Sequence, residues 1–154
     1  MANRSSLDRL VGNWTTEATH PMFPGTIVRG TANIEWLEGE RFLIFRARTD
    51  HPQFPDSVSI IGSMAHGRAD ADAKDPPNTT DALTMHYYDS RGVFREYAFD
   101  ADDGAIHYSR RDPGFSQRFT GTWADDGNTL VGQSQLCRDD VNWVDDLAIT
   151  YRRA

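Results

Sequence analysis

Ala82 to Ala124 reads ALTMHYYDSRGVFREYAFDADDGAIHYSRRDPGFSQRFTGTWA. Four runs in which apolar and polar residues alternate, about 82 to 88, 93 to 99, 104 to 111 and 115 to 124, are separated by Asp89-Ser90-Arg91-Gly92, Asp102-Asp103-Gly104 and Asp112-Pro113-Gly114. Alternation with period two marks strands with one buried face. The separators have hairpin chemistry: glycine supplies a positive φ, and aspartate caps its own turn through its side chain. Four strands joined by three tight turns make an antiparallel meander.

The same style continues on both sides. Further strands are expected at about 12 to 19, 27 to 37, 41 to 49, 57 to 65, 128 to 138 and 143 to 153, with turns at Glu38-Gly39-Glu40 and Asp125-Asp126-Gly127-Asn128. Helical periodicity is confined to Ser6 to Val11. A flat sheet of ten strands would leave two exposed edges prone to aggregation, so an all-β chain of this kind is expected to close into an up-and-down barrel, with a sandwich as the competing architecture. One joint is long. Residues 66 to 81 are polar with paired prolines, and they read as a surface loop because strands resume beyond them in the same style.

Length and charge narrow the functions. At 154 residues the chain suits one domain, residues 1–154. A formal charge of -7 would repel phosphate backbones and anionic membrane surfaces. Nucleic acid and membranes are therefore not expected partners. The single cysteine, Cys137, cannot form an internal disulfide and belongs to no zinc-ligand spacing, and no apolar run has the length of a signal peptide or a membrane span. A cytoplasmic location is the expectation.

Gly12-Asn13-Trp14 opens the first strand directly after the helical turn, and Arg152-Arg153 closes the last. This pairing resembles the signature of the calycin superfamily of lipocalins and fatty-acid-binding proteins, in which an arginine of the final strand lies across the indole; a guanidinium over an indole face is attractive. Within that superfamily Leu10 to Thr15, Phe115 to Trp123 and Asp146 to Arg153 are most similar to nitrobindin-type haem barrels and to small bacterial calycin-like proteins without assigned function. In nitrobindins a histidine on the last strand ligates haem iron. No histidine follows His107 here, so the resemblance implies the fold without haem, and no cofactor is expected.

His20-Pro21-Met22-Phe23-Pro24 and His51-Pro52-Gln53-Phe54-Pro55 form a near-repeat. Every second joint of a meander lies at one end, so both loops should share a rim, with the long loop and the Asp-Gly turns expected on the opposite one. Flanking prolines stiffen each loop and present Phe23 and Phe54, either as an apolar portal or as a plug of the barrel end. Two histidines supply no third ligand, and the aspartate groups lack the calcium-loop pattern, so no metal is expected.

Alternation assigns the interior. Phe115, Gln117, Phe119, Gly121 and Trp123 should point inward, as should Leu83, Met85 and Tyr87, while Val93, Arg95, Tyr97 and Phe99 bring an arginine into the lumen. Trp143, Asp145, Leu147, Ile149 and Tyr151 share a face, and Gln133 and Gln135 join the inward polar set. The seventh strand is undecided between Ile106, Tyr108 and Arg110 on one side and His107 and Ser109 on the other. An inward Arg95 requires Asp145, a carboxylate ligand, water or a path to solvent, since an unpaired buried charge is costly. In the fatty-acid-binding proteins, interior arginine and tyrosine receive a carboxylate.

The expected function is binding of a small apolar or amphipathic molecule in the lumen, at Phe23, Phe54, Met85, Tyr87, Arg95, Tyr97, Gln117, Phe119, Gln133 and Asp145. Nucleophile elbows, phosphate loops and dinucleotide fingerprints are absent from the sequence, and no catalytic residue is assigned. Two alternatives stay open: a cofactor-free isomerase or cyclase acting by confinement and perturbed lumen acids, and a plugged barrel with a structural role.

Overall fold

The structure, a computed structural model, describes residues 3–63 and 82–154. One short helix, α1 (Arg4–Asp8), precedes ten strands: β1 (Gly12–Thr19), β2 (Val28–Trp36), β3 (Phe42–Thr49), β4 (Ser57–Ser63), β5 (Leu83–Asp89), β6 (Phe94–Ala101), β7 (Ala105–Arg110), β8 (Ser116–Trp123), β9 (Thr129–Cys137) and β10 (Trp143–Arg153). Each strand pairs antiparallel with its neighbours in sequence, and β1 pairs with β10. The barrel is closed, so no sheet edge is left open. The expected meander is observed, with strand ends within a few residues of those read from the sequence. The loop expected at 66 to 81 lies outside the described residues. Among those described, no helix is long and apolar enough to cross a membrane.

The end of the barrel nearest the N-terminus is sealed by aromatic residues and arginines. Asn3 caps α1 by accepting the Ser6 N–H at 2.8 Å, and Leu7 and Leu10 enter the core. The buried Trp14 donates its indole N–H to the Leu10 carbonyl at 2.9 Å, and the Arg153 guanidinium lies 4.2 Å above its ring. Arg153 also donates to the carbonyls of Val11 and Arg9, each at 2.9 Å. One side chain thus ties the last strand to the helix–strand junction. The glycine preceding Trp14 is required: Gly12 has φ of 144°, and a β-carbon there would sit 2.8 Å from Arg153 Nη1. Arg9 stacks on Trp123 at 4.4 Å in the same layer, and Trp14 and Trp123 lie 5.9 Å apart.

Three expectations need correction. The Asp-Gly turns do not gather opposite the HPxFP loops: those at 89–92 and 112–114 follow β5 and β7, which run towards the same rim as β1 and β3. Only the turns at 102–104 and 125–127 take the opposite rim.

The second correction concerns β10. Asp145 pairs with Gln135 and Ala148 with Gln133, so Asp146 and Leu147 together oppose the single residue Ser134. The extra residue of this bulge reverses the side on which Asp145 falls. Asp145 lies on the outer wall, accepting a 2.9 Å hydrogen bond from Gln135, and Trp143 lies outside under Arg118 at 4.1 Å. Asp146 faces the lumen in place of Asp145, while Leu147, Ile149 and Tyr151 line it as expected.

The third is Gln133, which also faces outward. On β9 the inner positions belong to Leu130, Gly132, Ser134 and Leu136, because the Phe119 ring crosses this strand: a β-carbon on Gly132 would lie 2.3 Å from Phe119 Cζ. Small residues on the inner face make room for one large ring from the neighbouring strand. Gln133 instead donates to the Leu147 carbonyl at 3.3 Å across the bulge. On β7 the structure decides for Ile106, Tyr108 and Arg110: Ile106 is buried, Tyr108 lines the lumen, and His107 lies on the outer wall against Thr120.

Candidate functional site

The lumen is divided by a septum. Phe45, Met85, Tyr108, Phe119 and Tyr151 line both a void of about 30 Å³ on the sealed side and a cup of about 240 Å³ on the side of the HPxFP loops. The septum is a layer of rings: Tyr108 and Phe119 stack at 4.7 Å and 13°, and Phe45 meets Tyr151 at 6.1 Å. Half the barrel is therefore packed and half is hollow. A larger hollow of about 400 Å³ exists on the outer wall of β8, β9, β10 and β1, but it is an open groove lined by threonines such as Thr120, Thr122 and Thr150. It encloses nothing, whereas the cup has walls on all sides and converging polar groups.

The mouth is built by the two HPxFP loops, which share one rim as expected. In each, the phenylalanine N–H donates to the histidine carbonyl (Phe23 to His20 at 2.9 Å, Phe54 to His51 at 3.1 Å). In each, histidine Nδ1 accepts a backbone N–H two residues on, from Met22 at 3.1 Å and from Gln53 at 3.2 Å. The four rings interlock: Phe23 lies 5.5 Å from His51 and 5.6 Å from Phe54, and His20 lies 6.0 Å from Phe54. Phe54 and Pro55 line the cup itself, and Phe23 backs them from outside. The cluster is a brace for the mouth more than a portal formed by two equal phenylalanines.

Accepting at Nδ1 places the ring proton of neutral His20 on Nε2. That nitrogen lies 2.6 Å from Oδ1 of Asp146, the carboxylate brought inward by the bulge. The contact joins the first loop to β10 and leaves Asp146 on the cup wall. Among the described residues no group of three or more histidines, cysteines, aspartates and glutamates is placed to hold a metal ion.

Opposite this pair lies a donor-rich wall. Tyr97 donates its hydroxyl to Gln117 Oε1 at 3.2 Å, and Arg110 donates to the same oxygen at 3.4 Å while its other arm holds Asp112 at 3.0 Å. Arg95 lies beside the Tyr97 hydroxyl, with its guanidinium 5.5 Å from the Phe115 ring. Among the described residues it has no carboxylate at salt-bridge distance. Asp145, the partner expected for it, is outside the barrel.

The tyrosines of the cup are held neutral. Burial raises the ionisation of Tyr108 and Tyr151 well above the ordinary phenol value, and it raises that of Tyr97 against the opposing charge of Arg95. Tyr87 is raised by burial and by its 2.7 Å hydrogen bond to Asp89. Burial of Asp89 opposes its ionisation, but bonds from Arg91 and Tyr87 outweigh this and hold its carboxyl well below the usual carboxylate range. That side chain is wholly covered by its partners. No tyrosinate is available to neutralise Arg95.

Of the ten residues expected to line a site, Phe54, Met85, Tyr87, Arg95, Tyr97, Gln117 and Phe119 meet in the cup, Phe23 stands behind its mouth, and Gln133 and Asp145 are excluded from it. Asp146, Tyr108, Ser134 and Tyr151 were missed as site residues. Tyr151 carries a clear alternation signal, Tyr108 lies on the strand whose alternation leaves both faces open, and nothing in a period-two pattern marks the bulge that selects Asp146 over Asp145.

No protein-family model matches the chain, and no curated protein does. Among solved structures, the crystal structure of Rv2717c from M. tuberculosis is similar, with a TM-score of 0.63 and 11% identity over 97% of this chain and 96% of that one. The likeness is one of fold. This chain's part in that likeness is its closed ten-stranded antiparallel barrel.

Proposed function

We propose that the protein binds a small apolar or amphipathic molecule in the cup. The observation that carries this reading is the division of the lumen: ring packing fills one half of the barrel, while about 240 Å³ beside it is enclosed, mostly apolar and open at one rim. A barrel selected only for packing has no reason to keep that half hollow behind a proline-stiffened mouth. A carrier or sensor role follows from this arrangement, without haem, since no histidine lies on β10 to act as an axial ligand.

Native mass spectrometry of the purified protein tests the reading. A small organic mass is expected on the wild-type protein and not on Ser134→Phe, which fills the cup from β9. Only the polypeptide's own mass for each protein, with no small molecule retained from an extract, would count against binding.

A second reading, a cofactor-free enzyme, is favoured by one contact. The His20 and Asp146 pair places a carboxylate on the cup wall with an imidazole fixed behind it, an arrangement suited to moving a proton on an enclosed molecule. Turnover abolished by Asp146→Asn with binding retained would favour this reading over simple carriage.

A further inference from the structure

We infer that the occupant of the cup is a compact aromatic carboxylic acid of one or two rings, its carboxylate on Arg95 and the Gln117 amide and its ring on the Tyr108–Phe119 stack. This rests on the binding reading above and names the class of ligand.

The head group follows from the donor count. Gln117 Oε1 already receives hydrogen bonds from Tyr97 and Arg110, and because arginine can only donate, this fixes the amide with its oxygen towards them. The Gln117 N–H₂ is therefore left to donate elsewhere. Arg95, without a carboxylate among the described residues, adds a permanent cation held by Phe115. On this wall, across the cup from Asp146, the donors that face a ligand are the Arg95 guanidinium and the Gln117 amide N–H₂; they select an anion, and a planar fork matches a carboxylate.

The body follows from the floor. The cup is smaller than the 300–1,000 Å³ usual for drug-sized ligands. Beneath its floor lies only about 30 Å³, behind the septum of Phe45, Met85, Tyr108, Phe119 and Tyr151. A long acyl chain anchored at Arg95 has no room to extend inward past this floor. The floor presents the stacked pair Tyr108 and Phe119, inclined at 13° to each other, and a flat ring continues such a stack where a flexible chain does not.

Calorimetric titrations at neutral pH with 2-naphthoate, neutral 2-naphthol and hexadecanoate test the class. 2-Naphthoate is expected to bind about tenfold or more tightly than 2-naphthol, the worth of a charge-assisted hydrogen bond, with no saturable binding of hexadecanoate. Arg95→Gln should bring naphthoate down to the affinity that the same variant has for naphthol, and Arg95→Lys should keep part of the preference. Far-ultraviolet circular dichroism and a thermal melt matching the wild type report that each variant is folded. Equal affinity for acid and alcohol, a preference that survives Arg95→Gln, or tight binding of hexadecanoate would overturn the inference and leave the cup a binding site. Failure of all three probes to bind would overturn both it and the binding reading.

Discussion

His20 Nε2 lies 2.6 Å from Asp146 Oδ1, and this contact links a loop rich in proline to a bulge in the last strand. Both partners are about four-fifths covered, so the bond is partly shielded from water. Asp146→Ala is expected to loosen residues 20–27, at a cost of about 1 kcal/mol of stability. Asp146→Asn keeps an oxygen acceptor for the Nε2–H and should cost less. Amide exchange at Phe23, whose N–H bonds to the His20 carbonyl, reads the effect directly. Unchanged exchange in the alanine variant would show that the aromatic cluster alone holds the loop.

The septum depends on Gly132. A β-carbon there would meet Phe119 Cζ at 2.3 Å and Cε2 at 2.6 Å, with Ile149 close behind. Gly132→Ala is expected to destabilise the barrel by about 1–3 kcal/mol through overpacking. Phe119→Leu added to that variant should recover part of the loss in thermal melts, since the smaller side chain frees the space. Additive losses would mean that the ring is not the obstacle.

Arg153 performs three tasks at the sealed end: it covers Trp14, and it donates to the Arg9 and Val11 carbonyls. Arg153→Ala should cost about 2–4 kcal/mol, as charge-assisted bonds and a cation–π contact are lost together. Arg153→Lys can supply the charge but not the fork, and should recover only a minor part. Near-ultraviolet circular dichroism of the Trp14 and Trp123 pair is expected to weaken in the alanine variant; an unaltered spectrum with unaltered stability would remove this role.

Asp89 sets an expected pH dependence. Its carboxyl is held below the ordinary value near 3.9 by Arg91 and Tyr87. A depressed folded-state pKa contributes stability that is fully present above the unfolded value and is lost as pH falls through the folded one. Wild-type protein should therefore lose stability on acidification below about pH 4, and Asp89→Asn should be less stable at pH 7 with a shallower acid limb. Denaturant midpoints from pH 2 to 7 provide the comparison; parallel curves would assign acid sensitivity to other carboxylates.

Much of the barrel is legible along the chain. Glycine-bearing turns at 89–92, 102–104, 112–114 and 125–127 delimit strands whose alternation places Met85, Tyr97 and Phe119 inside, and all three are buried. Trp14 and the arginine that covers it are legible too, because Gly12 admits no side chain at their contact. The HPxFP repeat discloses a shared rim through strand parity alone.

Parity is also where the reading of the site stops. Period-two alternation is local information, and it persists only until a residue is inserted that no turn signal announces. At Asp146 and Leu147 that insertion is decided by β9, whose inner face must stay small beneath Phe119 and whose hydrogen bonds resume at Ala148. The side on which Asp145 falls, the meeting of Asp146 with His20, and the separation of Arg95 from Asp145 all descend from it. The amino-acid order by itself determined an all-β meander, its turns, its tryptophan seal and most of its inner face, because each depends on neighbours along one strand. Which half of the lumen is packed, which carboxylate enters it and what charge is left waiting in the cup were decided only in three dimensions, where side chains from distant strands compete for the same volume.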